Sequence, residues 1–231
     1  ELCSDGKCKD LQLLRRCADC LLAKRTLQTK DGSLLWDCLE NGRAISGLGH
    51  GMAGIGLALL KAYRFLDDTR SLDAAKDAFA WEHDMYSDRL TNWPDLRKPG
   101  TPGTMHGCCS GAPGIGLALL ACMDYRDVLP HWQEDLNRAL DACLTTPLMF
   151  RDHLCCGNSS AVDFLLEAGA ALKRKDLTQS ARMLLSRMAK RRDGDYAYLP
   201  SAYKPAFTPT LFYGAAGVGY VLLRTIRQEL P

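Results

Sequence analysis

His50, Cys108, Cys109, Cys155 and Cys156 occupy or lead into one position of a repeated frame, the residue before a glycine that opens an apolar run. That position falls at the head of a helix, where unpaired N–H groups and the positive end of the helix dipole favour thiolate over thiol. Several thiolates converging on one point make a soft donor set suited to Zn2+. Cysteine is also a common buried residue, and these pairs lack the C-x2-C spacing of standard zinc modules. On spacing alone, packing and metal ligation both stand.

The frame identifies the elements that must position these residues. His50-Gly-Met-Ala-Gly-Ile-Gly-Leu-Ala-Leu-Leu60 and Ser110-Gly-Ala-Pro-Gly-Ile-Gly-Leu-Ala-Leu-Leu120 agree at eight of eleven positions, and the frame returns at Cys156–Leu166 and Tyr213–Leu223. Starts at 50, 110, 156 and 213 give periods of 60, 46 and 57 residues, room for one helical hairpin each. Between the frames lie amphipathic stretches that read as outer helices. Residues 11–28 carry Leu11, Leu14, Cys17, Ala18 and Leu21; residues 71–83 carry Leu72, Ala75 and Phe79. Residues 131–144 carry Trp132, Leu136, Ala139, Leu140 and Cys143. Residues 177–190 carry Leu177, Ala181, Leu184, Leu185 and Met188 behind a capping-box-like Asp176-x-x-Gln179. The frames themselves begin inner helices, and 55–66 is apolar almost all round, as for a helix buried on every side. Strand-like alternation is scarce. The predicted class is all-α, alternating outer and inner helices from an outer helix at the start to an inner helix over 215–227. Glycine at each inner head lets the helix ends crowd a common axis, so the loops just before them point into a central cavity.

Composition narrows the partners. Twenty-nine Lys and Arg against 27 Asp and Glu offer no electrostatic attraction for nucleic acid or an anionic membrane. The longest apolar run, about Ile115 to Met123, is well short of the ~18 residues a membrane helix needs. Eleven cysteines, with no secretory pattern at Glu1-Leu-Cys-Ser-Asp, favour free thiols in a reducing cytoplasm over a disulfide framework. Among Cys3, Cys8, Cys17 and Cys20 the Cys17-x2-Cys20 spacing could hold zinc, but Cys17 and Cys20 lie one helical turn apart on an amphipathic stripe, which favours packing over a second metal. His83 and His131, on outer helices, read as solvent-facing.

The ordered motifs resemble one family. Ser46-Gly-Leu-Gly-His-Gly-Met-Ala-Gly-Ile-Gly56, Asn92-Trp-Pro-Asp-Leu-Arg97, the run Cys109–Gly116, Leu154-Cys-Cys-Gly157 and the run Pro209–Arg224 are together similar to lanthionine synthetase C-like proteins, specifically the cyclase region of class II lanthipeptide synthetases. The resemblance implies an α/α toroid, with about four of its usual seven helical pairs present. Residues 1–32 would be an outer helix leading into the ring, and residues 33–231 the C-terminal portion of the cyclase domain. It also implies zinc ligands at Cys109, Cys155 and Cys156, where Cys156 stands in place of the commoner histidine and matches a three-cysteine subset. An acid/base residue is implied at His50. Cys108, Ser110, His106 and His153 become candidates for second-rank or substrate contacts, with Cys108 replacing a tryptophan and Ser110 a histidine or tyrosine. The implied substrate is a dehydrated, cysteine-containing precursor peptide; the implied partner is the remaining N-terminal part of a cyclase or synthetase, which carries the upstream catalytic aspartate. Alternatives are a non-catalytic zinc- or thiol-binding relative and a prenyltransferase-type ring, whose Asp-Cys-His ligand set and basic diphosphate pocket are not visible here.

Overall fold

The computed structural model describes residues 3–4, 7–30, 32–97, 100, 103–191 and 208–227. Its α-helices are α1 (Leu11–Ala23), α2 (Met52–Leu66), α3 (Thr69–Asp84), α4 (Ala112–Ala121), α5 (Trp132–Thr145), α6 (Asn158–Ala171), α7 (Lys175–Lys190) and α8 (Ala215–Ile226). The expected alternation holds: α2, α4, α6 and α8 form an inner row, each packed on the next, while α3, α5 and α7 return outside them as hairpin partners of α2, α4 and α6. Helix α1 leans on α2 and α3. No described helix is long and apolar enough to cross a membrane.

The inner helices differ in how deeply they are sunk. Helix α4 lies between α2, α6 and α5, and Ala112–Leu120 is buried throughout except for half-buried Leu117. The apolar pattern of 55–66 predicts a helix buried on every side, but Ala58, Lys61 and Arg64 of α2 form an exposed stripe, since among the inner helices only α4 packs on it. The core joins these helices through Ile115, Leu136, Phe164, Leu177 and Met188, with Trp93 from the long connection after α3 fully buried and donating its indole N–H to the Glu82 carbonyl at 2.6 Å.

Three local expectations are corrected. The helix expected over 11–28 stops at Ala23, because Arg25–Gln28 turns back as a strand paired antiparallel with Leu34–Trp36, and the Trp36 indole donates to the Leu21 carbonyl at 2.7 Å. Its buried seam runs through Leu14, Ala18, Leu21 and Leu22, leaving Cys17 and Cys20 exposed rather than packed. The Cys3 and Cys8 side chains lie outside the described residues. Helix α7 begins too early for a capping box at Asp176: Arg174 is its N-cap, and Asp176 forms an ion pair with it instead. His83 is not solvent-facing. Its side chain is 16% exposed, and Nδ1 meets Asp135 at 2.8 Å. The scarcity of strands holds to the extent that only two-stranded ribbons form among the described residues; one pairs Pro94–Asp95 with Gly103–Thr104.

Candidate metal centre

Every inner helix is entered through a glycine N-cap that offers no side-chain cap, namely Gly51, Gly111, Gly157 and Gly214. The unpaired N–H groups of the first turn therefore need acceptors from elsewhere. For α2 the acceptor is Glu82 of α3. This fully buried carboxylate takes the Ala53 N–H at 3.0 Å, the Gly47 N–H at 3.2 Å and the Ser46 hydroxyl. Burial pushes its pKa up to about 7, against those hydrogen bonds. For α4 the acceptor is Asn92, whose Oδ1 takes the Ala112 N–H at 2.9 Å and whose amide reaches the Met105 carbonyl. Neither residue carries a sequence signal as a cap, because each acts across 20 or more residues of chain.

Backbone hydrogen bonds then tie each helix-head loop to the next. Gly49 N–H donates to the Cys109 carbonyl at 3.1 Å, Cys108 N–H to the Cys155 carbonyl at 2.7 Å, and Cys155 N–H to the Phe212 carbonyl at 2.9 Å. Close approach is what the glycines outside the frame supply. A Cβ on Gly49 would stand 2.9 Å from Cys109 Cα, and one on Gly107 would stand 2.8 Å from both the Cys155 carbonyl and Cys156 Cα. The crowding of helix heads is as expected, but it is carried by these positions. The frame glycines Gly51, Gly157 and Gly214 instead abut their own loops.

This stitching brings Cys109, Cys155 and Cys156 together, with their sulfur atoms all within 4.8 Å of one another. Cys156 Sγ lies 2.9 Å from Cys109 Sγ and 3.3 Å from Cys155 Sγ. A tetrahedral zinc with Zn–S bonds of ~2.3 Å sets sulfurs about 3.8 Å apart, so a small outward shift makes this donor set fit. The thiols lie within hydrogen-bond distance of one another. Hydrogen bonds from Cys109 and then Cys156 hold Cys155 far below the usual thiol range, and the Tyr213 hydroxyl adds to them. The same bonding, to Cys109 first, pushes Cys156 up. Tyr213, the frame residue before Gly214, has no motif of its own that marks this contact; its place in the fourth repeat is the available signal.

The other candidates take supporting places. Cys108 turns its N–H to Cys155 and to the Ser160 hydroxyl, and burial raises its thiol to about 12, outside the sulfur group. Ser110 is buried and its carbonyl accepts from Gly107 N–H at 3.0 Å. His153 Nδ1 accepts the Cys156 N–H at 3.1 Å while its ring tilts against Tyr213, and burial lowers its pKa. His106, also lowered by burial, is within hydrogen-bond distance of Asn92 and Thr146. His50 is exposed, one residue beyond Gly49 and so beside the contact with Cys109. A second group, His83, His131 and Glu134, also brings ligand atoms within 4.8 Å, but Arg138 already occupies it, 2.8 Å from Glu134 and 3.0 Å from His83 Nδ1.

Residues 5–231 match the family model described as lanthionine synthetase C-like protein. Among solved structures, the chain superposes on one titled "Nisin cyclase" with a TM-score of 0.70 at 18% identity, covering 99% of this chain and 59% of that one. The likeness identifies the fold as the helical toroid of that protein, of which this chain spans about three fifths of the length. No curated protein matches the sequence.

Proposed function

Since the chain belongs to the lanthionine synthetase C-like family, we propose that it is the C-terminal portion of a zinc-dependent lanthionine cyclase, of the three-cysteine kind found in class II lanthipeptide synthetases, with residues 33–231 as its part of the cyclase domain. The observation that carries this is the meeting of three thiols from two helix-head loops within 4.8 Å, inside a chain of that family. Cys109, Cys155 and Cys156 would hold the ion through Sγ. Bound there, zinc supplies Lewis acidity that makes a peptide thiol acidic at neutral pH.

The substrate is a dehydrated precursor peptide, and the reaction is addition of its cysteine to a dehydroalanine or dehydrobutyrine. One C–S bond forms at the β-carbon, and the π pair of the alkene becomes the new Cα–H bond. Nothing leaves and nothing is oxidised. His50 handles the proton, receiving it from the thiol side and delivering one to the α-carbon, a task suited to an imidazole. Tyr213, which hydrogen-bonds Cys155, keeps that sulfur oriented. Free thiols at Cys109, Cys155 and Cys156 are kept in a reducing compartment, which favours the cytoplasm.

The test is to incubate the zinc-loaded chain with a dehydrated, cysteine-containing precursor, alone and with a polypeptide carrying the first helical pairs of such a domain, and to count free thiols by mass spectrometry. Loss of peptide thiols at unchanged mass supports the proposal. Zinc bound with no thiol loss in either arm makes the chain a non-catalytic zinc- and thiol-binding relative.

A further inference from the structure

Three thiolates around a divalent cation leave one net negative charge, and a substrate thiolate adds a second. Partly removed from water, such charge is poorly stabilised unless a cation stands nearby. Arg97 stands there. Its Nε and Nη2 donate to the two Asp95 oxygens at 2.8 Å each, a two-point pairing that fixes the plane of the guanidinium. Nη2 also lies 3.2 Å from Met105 Sδ, which is itself 3.7 Å from Cys109 Sγ. The ribbon that pairs Asp95 with Gly103 and Pro94 with Thr104 sets these two segments side by side. The Arg97 pKa is raised first by its bond to Asp95, and the charges of Cys109 and Cys156 add to it.

We propose that Arg97, oriented by Asp95, is the countercharge of the three-sulfur centre, stabilising both the bound metal and the thiolate that joins it. This rests on the metal-centre reading above. Arginine is suited to the role because it remains charged beside a carboxylate partner and its fork can be held without filling the centre.

The experiment measures Zn2+ affinity by competition with a chromophoric chelator, at low and at high salt, for the unaltered chain, Arg97→Gln and Arg97→Lys. Arg97→Gln is expected to bind on the order of tenfold more weakly at low salt, with the gap closing at high salt as screening takes over. Arg97→Lys, which keeps the charge but loses the two-point hold on Asp95, should bind more weakly than the unaltered chain and more tightly than Arg97→Gln. Thiolate-to-cobalt charge-transfer absorption per bound Co2+ should be equal in all three, showing the same sulfur ligands. Equal affinity of Arg97→Gln and the unaltered chain at low salt overturns the inference. So does an Arg97→Lys loss as large as that of Arg97→Gln, which would mark a packing role. An unaltered chain that takes up no zinc, or a Cys155→Ala variant that retains full uptake, overturns the metal-centre reading and this inference with it.

Discussion

Under the proposed reading the residues that matter most are three cysteines and a histidine, and each can be changed singly. Cys156 sits between the other two sulfurs, 2.9 Å from Cys109 and 3.3 Å from Cys155. Cys156→His keeps a normal zinc ligand while removing one negative charge. It should therefore retain stoichiometric zinc by metal analysis, yet close rings more slowly, because a more electron-withdrawing metal leaves the bound thiolate less nucleophilic. Ring closure at an equal or higher rate at matched zinc content would refute this electronic argument. His50 is exposed and lies outside the hydrogen bonds that hold the sulfur loops, so His50→Ala should leave zinc content and helicity unchanged. It should lower cyclisation by the ~10²–10⁴-fold typical of a lost acid/base group.

At the level of elements, the loops ahead of α2, α4, α6 and α8 behave as one stitched layer, and two changes probe the stitching. Gly107→Ala places a methyl 2.8 Å from the Cys155 carbonyl and Cys156 Cα, both backbone atoms that cannot swing aside. Overpacking of this kind destabilises by about 1–3 kcal/mol, so thermal unfolding should shift down and zinc uptake should weaken together. Glu82 is the buried acceptor that holds the His50 loop to the head of α2. Its folded pKa, about 7, is above the ordinary 4.5, so the folded chain binds the proton more tightly than the unfolded one. The stability it adds is full below about pH 4.5 and is lost as pH rises through about 7, a swing of roughly 3 kcal/mol. Denaturant unfolding of the unaltered chain and of Glu82→Gln should therefore differ by a pH-dependent amount, with the difference shifting in favour of the glutamine variant between pH 5 and pH 8. A constant difference across that window would contradict the assignment.

On the scale of the whole molecule, the inner row ends on an apolar face. Leu223 is 55% exposed and Ile226 81% exposed on α8, with Phe212 and Leu211 exposed on the loop before it. Faces of this kind are rarely left to water in a stable monomer. Under the proposed reading, the partner that covers them is the rest of a cyclase ring, which also supplies the upstream aspartate. Adding a polypeptide with the first helical pairs should raise ring closure clearly above a weak basal rate and raise the melting temperature, because it covers these residues and shuts water out of the cavity. Full activity of the chain alone, unchanged by the addition, would show that no such partner is needed.

Much of this architecture is carried by local sequence. Helix heads at Gly51, Gly111, Gly157 and Gly214, the outer and inner alternation, and the co-occurrence of Cys109, Cys155 and Cys156 at those heads all follow from a frame repeated along the chain, since periodicity and helix entry are short-range properties. The solvent side of α1 is not legible in the sequence because Cys17 lies one residue off the Leu14–Ala18–Leu21 seam, and a one-residue rotation is decided by what packs against the helix. Only the tertiary structure decided that Glu82 and Asn92 cap α2 and α4, that His83 pairs with Asp135, that Tyr213 stands beside Cys155 and that Arg97 reaches Met105. Each of these is a polar contact that closes only when separate segments come together, and no periodicity encodes it. Its partners meet only after the apolar faces have fixed the helices in place.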